Sequence, residues 1–496
     1  MPFRRLFEQG IAIVRLTEED ETMNKKFCLR FAEAMAFLVL LVAIVAGVSR
    51  VVEHKEGRTL LGGYLEEPQA YDVLFFGDSK CITGMVPMEM YDDYGIAAYN
   101  LACYSNFMPV SYWTLINALD YGTPELAVLS VNGLAADKKV TAYSPDLHTA
   151  LDFWPLTKNK VRMINDLLYD PENPDFTDSH GVRYQDLKWE YFFTLGKYHS
   201  RWSELKKEDF TKRPARIKGG EFKAGVYPVW EYTLVEEDNY EDEVGYGYEY
   251  LRAAIEECLG RGIEVLLVMM PNPLMINSQR AANTVRSIAS EYGVNFVDTT
   301  RLDSIVDYAV DCFDEDPHLN TSGTLKMTDF LGSYISSHYD LPDRRADAEY
   351  AHWQEHLCAH KDEKFNVMRE QEELNNVLML LHDTDYDFSL YLGADAPVWY
   401  DEVGILLMHN IARRHVLSGE EYAESSSGMF PLEEFDRALT EGGAYYLHRK
   451  AGIWAEHTGA DAEAAAIEVF GKEPASQVML EVRDARTGKQ EAVRQF

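Results

Sequence analysis

The sequence predicts an α/β fold, preceded by one apolar helix and followed by a smaller α+β module. Three observations predict it. Short apolar runs alternate with helical stretches between about residues 65 and 345, the pattern of buried strands in a parallel sheet. An unbroken apolar segment lies near the start. A shift in composition follows "LPDRRADAEYAHW" (Leu341 to Trp353).

The strands come first. "DVLFF" (Asp72 to Phe76) is a short apolar run that ends in glycine. "IAAYNLA" (Ile96 to Ala102) and "ELAVLSV" (Glu125 to Val131) are two more. "IEVLLVMM" (Ile263 to Met270) is stopped by Pro271, and "VNFVDT" (Val294 to Thr299) completes the set. Helices are expected at Val110 to Tyr121, Tyr248 to Leu259, Asn277 to Tyr292 and Thr321 to Ser337.

Between about residues 138 and 246 the alternation breaks. "RYQDLKWEYFFTLGKYHSRWSELKKEDF" (Arg183 to Phe210) is too aromatic to stay solvated and reads as a folded insertion; within it "KYHSRWSEL", with His199 and Arg201, reads as a packed aromatic cluster, the alternative being a lining of the substrate cleft. In the last module, a helix is expected over Ala346 to Leu380 and a half-buried strand over Tyr386 to Ala394. "ADAEAAAIEVF" is plain helix, and Ala475 to Phe496 reads as two strands about a turn at Thr487-Gly488. The expected domains are therefore a cytosolic segment over 1–30, an anchor over 31–50, an α/β domain over 65–345 and an accessory domain over 346–496.

"FAEAMAFLVLLVAIVAGV" (Phe31 to Val48) is apolar apart from Glu33, slightly short of the ~20 residues a spanning helix prefers. Lys25, Lys26 and Arg30 precede it, while Glu53 and Glu56 offset Arg50, Lys55 and Arg58 behind it. The positive-inside bias puts the N-terminus in the cytosol and the domains outside. An uncleaved signal anchor is expected; the rivals are a cleavable signal peptide with a poor site at "VAG" and a buried core helix. "MNKKFCLRF" reads as a true start at Met23, which makes residues 1–22 an over-extended start or a cytosolic tail.

A net charge of −35 argues against nucleic-acid binding, which needs basic surface to displace counterions. It also disfavours direct adhesion to anionic lipid or polymer, except through a local basic patch, and reads as a solvated, self-repelling surface. The six cysteines are scattered with no CxxC pair, so neither a zinc ribbon nor a disulfide scaffold is suggested. There is no P-loop and no GxGxxG, and no cofactor is expected. His352, His356 and His360 fall at i, i+4 and i+8; without an HExxH pattern they read as a solvated or packed helix face rather than a metal site.

The chemistry centres on Ser79. In "YDVLFFGDSKCITGMVP" a strand runs into Gly77-Asp78-Ser79, which would hold a hydroxyl at the C-terminal edge of a parallel sheet. Serine needs a base, and the base needs a carboxylate on its other ring nitrogen. "DCFDEDPHLNTSGTLKMTDFLGSYI" offers His318 among Asp314, Glu315 and Asp316, just before a helix that Asn320 or Thr321 would cap.

These two blocks together resemble the SGNH hydrolases, or GDSL-type esterases. The opening resembles their membrane-tethered members, among them D-alanine transfer proteins and the extracytoplasmic partners of membrane-bound O-acyltransferases. The resemblance spans roughly residues 65–340 and implies a flavodoxin-like, three-layer α/β/α fold with Ser79 as nucleophile and His318 as base. It implies acyl transfer or ester hydrolysis on a cell-envelope polymer or acylated glycan, and a membrane-bound O-acyltransferase as partner. Glu315 stands where the family has its orienting Asp, with Asp314 and Asp316 on either side. For the oxyanion, Ser79, Ser105 or Asn106, and Asn132 are the candidates, although "YNLACYSN" lacks the family's glycine and Asn132 lacks its usual setting. Asp78, Lys80 and Arg201 are candidate substrate contacts. The alternative is a catalytically degenerate scaffold that binds glycan or a membrane partner.

Overall fold

The computed structural model describes residues 28–49, 51–52, 61–67, 69–134, 138–210, 218–229, 231–302, 305–370, 377, 385–395, 441, 443–451, 453–470 and 478–495. The chain divides into two compact units, one of residues 1–55 and 189–213, the other of residues 56–188 and 214–496. Met23, Lys25, Lys26, Glu53, Lys55, Glu56 and Arg58 lie outside the described residues.

In chain order the elements are α1 (Cys28–Ser49), β1 (Val73–Phe76), α2 (Ser79–Ile82), α3 (Pro87–Tyr94), β2 (Ala98–Asn100), α4 (Met108–Ala118), β3 (Leu126–Ser130), α5 (Ser144–Leu151) and α6 (Lys158–Leu167). Then come α7 (Tyr184–Phe192), α8 (Thr194–Tyr198), α9 (Tyr246–Gly260), β4 (Glu264–Met269), α10 (Ile276–Tyr292), β5 (Asn295–Asp298) and α11 (Thr321–His338). The last part holds α12 (Trp353–Glu370), β6 (Tyr386–Leu392), β7 (Tyr445–Lys450), β8 (Ile453–Thr458), α13 (Gly459–Phe470), β9 (Val478–Asp484) and β10 (Gln490–Gln495).

All 22 residues of α1 form one helix with none of its apolar window buried. At ~1.5 Å per residue such a helix is about 33 Å long, against a hydrocarbon core of ~30 Å. It is long and apolar enough to cross a membrane.

The five strand-like runs form one parallel sheet in the order β2-β1-β3-β4-β5. Every residue of β1 and β3 is buried, which is why these runs are continuously apolar rather than alternating. Because the strands are parallel, Phe76, Asn100, Ser130, Met269 and Asp298 end at one rim, where loops converge. Among the helices, α3 packs with α11, and α4 packs with α9 and α6.

A second, antiparallel sheet has the order β10-β9-β6-β7-β8. In β6, Tyr386, Phe388 and Leu390 are buried while Asp387 and Ser389 are half-buried, the expected period of two. Ala462 and Ala466 of α13, four apart and so on one face, bring that helix onto Tyr391, Tyr446 and Met479. The helix expected over Ala346 to Leu380 is observed as α12, preceded by short 3₁₀ turns at Arg344–Ala346 and Ala348–Tyr350; residues 371–376 lie outside the described residues.

α12 is bound to α3 through charge. His360 Nε2 lies 2.7 Å from Glu89 Oε1, and Lys364 Nζ donates to the same oxygen at 2.8 Å. Lys364 and Lys361 also reach Asp385, at 2.7 and 3.1 Å. His352 bonds Glu67 at 2.6 Å. Two histidines of the i, i+4, i+8 row are thus each engaged by a glutamate.

Candidate active site

β1 delivers the chain to the rim at Gly77. A Cβ built there would lie 2.5 Å from Ser130 Cβ, so only glycine lets the chain leave β1 this close to β3. Asp78 then caps α2, its carboxylate accepting from the Lys80 N–H at 3.1 Å. Burial pushes the Asp78 carboxyl up to about 6, against the opposing charge of Lys80. Asn106 braces the turn from outside, its amide donating to Gly77 O at 2.9 Å and Ser111 Oγ at 3.0 Å. Ser79 is thereby fixed as the first residue of α2.

His318 arrives from the other end of the domain on a short loop. Cys312 and Leu319 form a β-bridge, and the Phe313 N–H donates to His318 O at 3.0 Å, which closes the loop. Asn320 caps α11 by accepting from Gly323 N–H at 3.1 Å, while its amide donates to Val310 O at 2.7 Å. Below it the buried Asp311 holds Lys326 at 2.8 Å and Ser322 at 2.8 Å.

Ser79 Oγ and His318 Nε2 stand 2.7 Å apart. On the other side of the ring, His318 Nδ1 is 2.8 Å from Asp314 Oδ2, and Asp314 Oδ1 also accepts the His318 backbone N–H at 3.1 Å. A carboxylate only accepts, so the imidazole proton belongs on Nδ1. That leaves the Nε2 lone pair facing the serine hydroxyl, an arrangement able to take its proton. Burial lowers the His318 pKa first, Lys80 adds to that, and Asp314 opposes both. Neutral imidazole, the basic form, is therefore favoured further into acid than usual.

The three acidic neighbours separate cleanly. Asp314 contacts His318. Glu315, the residue in the family's position, is exposed. Asp316 sits 3.5 Å from Lys80 Nζ, and Lys80 also donates to the Asp316 carbonyl. Lys80 is therefore buried against the His318 loop. Its burial lowers its own pKa, while Asp316 and Asp78 raise it.

The expected oxyanion donors fare differently. The Ser79 N–H donates to no acceptor among the described residues. Asn132 is buried between strands, its amide donating to Met270 O at 3.0 Å and its oxygen accepting from Met270 N–H at 2.8 Å and Ser130 Oγ at 3.0 Å. The oxygen of Asn132 and one of its two amide hydrogens are thus engaged by the backbone of Met270 and the Ser130 hydroxyl. Ser105 adopts a left-handed conformation (φ 48). Arg201 belongs to the first unit, where it donates to Val52 O at 2.7 Å and pairs with Asp209 at 3.4 Å.

A strap of residues 218–229 has no counterpart in the sequence reading. Lys218 O accepts from Asn100 N–H at 2.9 Å, the Glu221 N–H donates to Ile82 O at 3.3 Å, and Lys223 O accepts from Thr321 N–H at 2.8 Å. It thus touches the end of β2, then α2, then the start of α11. Gly219 has φ +93, and a Cβ there would lie 2.0 Å from Asn100 O. Glu221 accepts from the Tyr104 hydroxyl and pairs with Lys223 at 2.7 Å. The Gly219-Gly220 pair is the one signal of this close approach in the sequence. No protein-family model matches the chain, and neither does any curated protein.

Proposed function

We propose that the chain is an extracytoplasmic serine esterase or O-acyltransferase that acts on a cell-envelope polymer or acylated glycan. One observation carries the reading: Ser79 and His318, 239 residues apart in sequence, meet at 2.7 Å with Asp314 in line behind the imidazole. The strand order 2-1-3-4-5 supports the flavodoxin-like, three-layer SGNH-type fold, since right-handed crossovers in that order put helices on both faces of the sheet.

In the proposed reaction Ser79 Oγ attacks the ester carbonyl carbon while its proton passes to His318 Nε2. The resulting oxyanion is met by the Ser79 N–H. Collapse breaks the bond to the alcohol oxygen, which takes the proton from Nε2 and leaves an acyl-Ser79. Water or a sugar hydroxyl then attacks that acyl carbon, gives its proton to His318, and releases Ser79 with its proton restored. Asp314 holds the tautomer and stabilises the imidazolium. The charge chemistry is complete without a cofactor. With α1 spanning and the basic flank inside, the site faces outward, where a membrane-bound O-acyltransferase would supply or receive acyl groups.

The second reading is a degenerate scaffold that binds glycan or a membrane partner. The burial of Asn132, with its amide bonded to Met270 O, favours it, because a lost oxyanion donor costs roughly 10²–10³ in rate. A fluorophosphonate probe on the full-length protein separates the two. Covalent labelling of the wild type that is lost in Ser79→Ala supports the enzyme. No labelling of folded wild type removes it and leaves the scaffold.

A further inference from the structure

Residues 189–210 carry an unusual surface. Proteins bury most of each tryptophan, because the ring removes 150–250 Å² from water. Here Trp189 is 78% exposed and Trp202 is 73% exposed, with Phe210 and Phe193 also open to solvent. Trp202, within the stretch expected to pack, is thus open to solvent, while Tyr191 of the same segment is buried.

The same segment is tied to the end of the apolar helix. Arg201 Nη1 donates to Val52 O at 2.7 Å, and the guanidinium also reaches Asp209 Oδ1 at 3.4 Å. Asp209 in turn accepts from the Lys206 N–H at 2.8 Å, so the 3₁₀ turns at His199–Ser203 and Lys207–Phe210 are locked to one another. Val52 is helical and lies three residues past Ser49, within about 10 Å of it even for fully extended chain. If α1 fills the hydrocarbon core, Val52 is at the level of the headgroups. Aromatic rings at that depth gain from an interface that is apolar on one side and wet on the other.

We infer that residues 189–210 form a membrane-lying platform, in which Trp189, Phe193, Trp202 and Phe210 enter the headgroup–acyl boundary of the bilayer that holds α1. Arg201 sets the height. Lys197, Arg201, Lys206 and Lys207 are balanced by Glu190, Glu204, Glu208 and Asp209, so the attachment is through rings rather than charge and does not require anionic lipid. The inference rests on the reading of α1 as a spanning helix.

The test uses the full-length chain in nanodiscs of phosphatidylcholine, with and without lipid brominated near the carbonyl end of its acyl chains. Tryptophan emission of the wild type should be quenched by the brominated lipid, and the Trp189→Phe/Trp202→Phe double variant should lose that quenching. Phenylalanine at exposed positions leaves the fold intact. Quenching that is absent, or equal in the two proteins while both remain in the discs, overturns the platform alone. A patch covered by a second protein gives that same unquenched result in lipid alone. Release of the chain from membranes in alkaline carbonate overturns the spanning helix, and the platform with it; the platform's own failure leaves the chain membrane-bound.

Discussion

Two histidines of the second unit each hold a 2.7 Å contact through Nε2, and their surroundings are opposite. His318 has its proton fixed on Nδ1 by Asp314 and turns a lone pair toward a hydroxyl, with 14% of its side chain exposed. His360 spends its Nε2–H on Glu89, is fully buried, and lies 5.2 Å ring to ring from Phe222. Its Nδ1 has no partner among the described residues. The first histidine can accept a proton from something that moves. The second is enclosed by Glu89 and Phe222, in a charge network where Lys364 shares the same glutamate oxygen. Hydrogen-bond length is the same in both; which nitrogen holds the proton, and what can reach the other, sets the chemistry.

The comparison breaks most severely if Ser79→Ala or His318→Ala leaves reactivity intact. Each should lower fluorophosphonate labelling by on the order of 10⁴-fold or more, with the circular dichroism spectrum unchanged. His360→Ala should not: the labelling of whatever fraction folds should stay within a few-fold of wild type. Equal losses at His318 and His360 would mean that both act through the fold.

Asp314→Asn sharpens the assignment among the three carboxylates. An amide cannot hold the Nδ1 proton as a carboxylate does, so labelling should fall by roughly 10³–10⁴. Glu315→Gln should change it less than a few-fold, because that side chain is exposed. A larger loss at Glu315 than at Asp314 would return the role to the residue in the family's position.

The buried pair predicts an effect on stability instead. Glu89→Ala removes the carboxylate that His360 and Lys364 share, leaving the buried His360 Nε2–H without its acceptor and Lys364 with Asp385 in place of two carboxylates. Breaking such a network costs about 3–5 kcal/mol. The midpoint of urea unfolding should drop accordingly, and the labelling rate of the folded fraction should hold. No change in the midpoint would show that the cluster is as solvated as a surface ion pair.

Much of the fold was legible because buried parallel strands are written as uninterrupted apolar runs. Asp72 to Phe76 and Ile263 to Met270 gave β1 and β4 to within a residue or two. Gly77, Ser79 and His318 were legible because a strand, a glycine and a hydroxyl make a local pattern, and because His318 sits before a capped helix. Which carboxylate reaches the imidazole was not, since a loop closed by Phe313 N–H on His318 O presents the residue four back rather than three. Nor was the fate of Asn132, which depends on the backbone of Met270 just past the neighbouring strand β4, 138 residues away. The strap escaped for the same reason: its partners Asn100, Ile82 and Thr321 come from three distant elements, and only Gly219-Gly220 hints at them. Exposed Trp189 and Trp202 ran against the general rule that aromatic segments pack inward.

The smallest effect expected is also the most specific. Lys80 is bound to the Asp316 carbonyl and adds its positive charge beside His318, which, together with burial, holds that imidazole below its ordinary value of 6.5. The labelling rate should therefore rise with pH through a midpoint below 6.5 and then level off, because only neutral His318 accepts the serine proton. Lys80→Met removes a charge that disfavours imidazolium, so the midpoint must move to higher pH. Lys80→Arg keeps the charge and should leave it near the wild-type position. A loosened His318 loop in the Met variant would lower the plateau at every pH, but it would not by itself restore the imidazolium's stability. A midpoint that stays put in Lys80→Met, whatever happens to the plateau, would show that Lys80 serves the loop alone and that burial sets the basicity of His318.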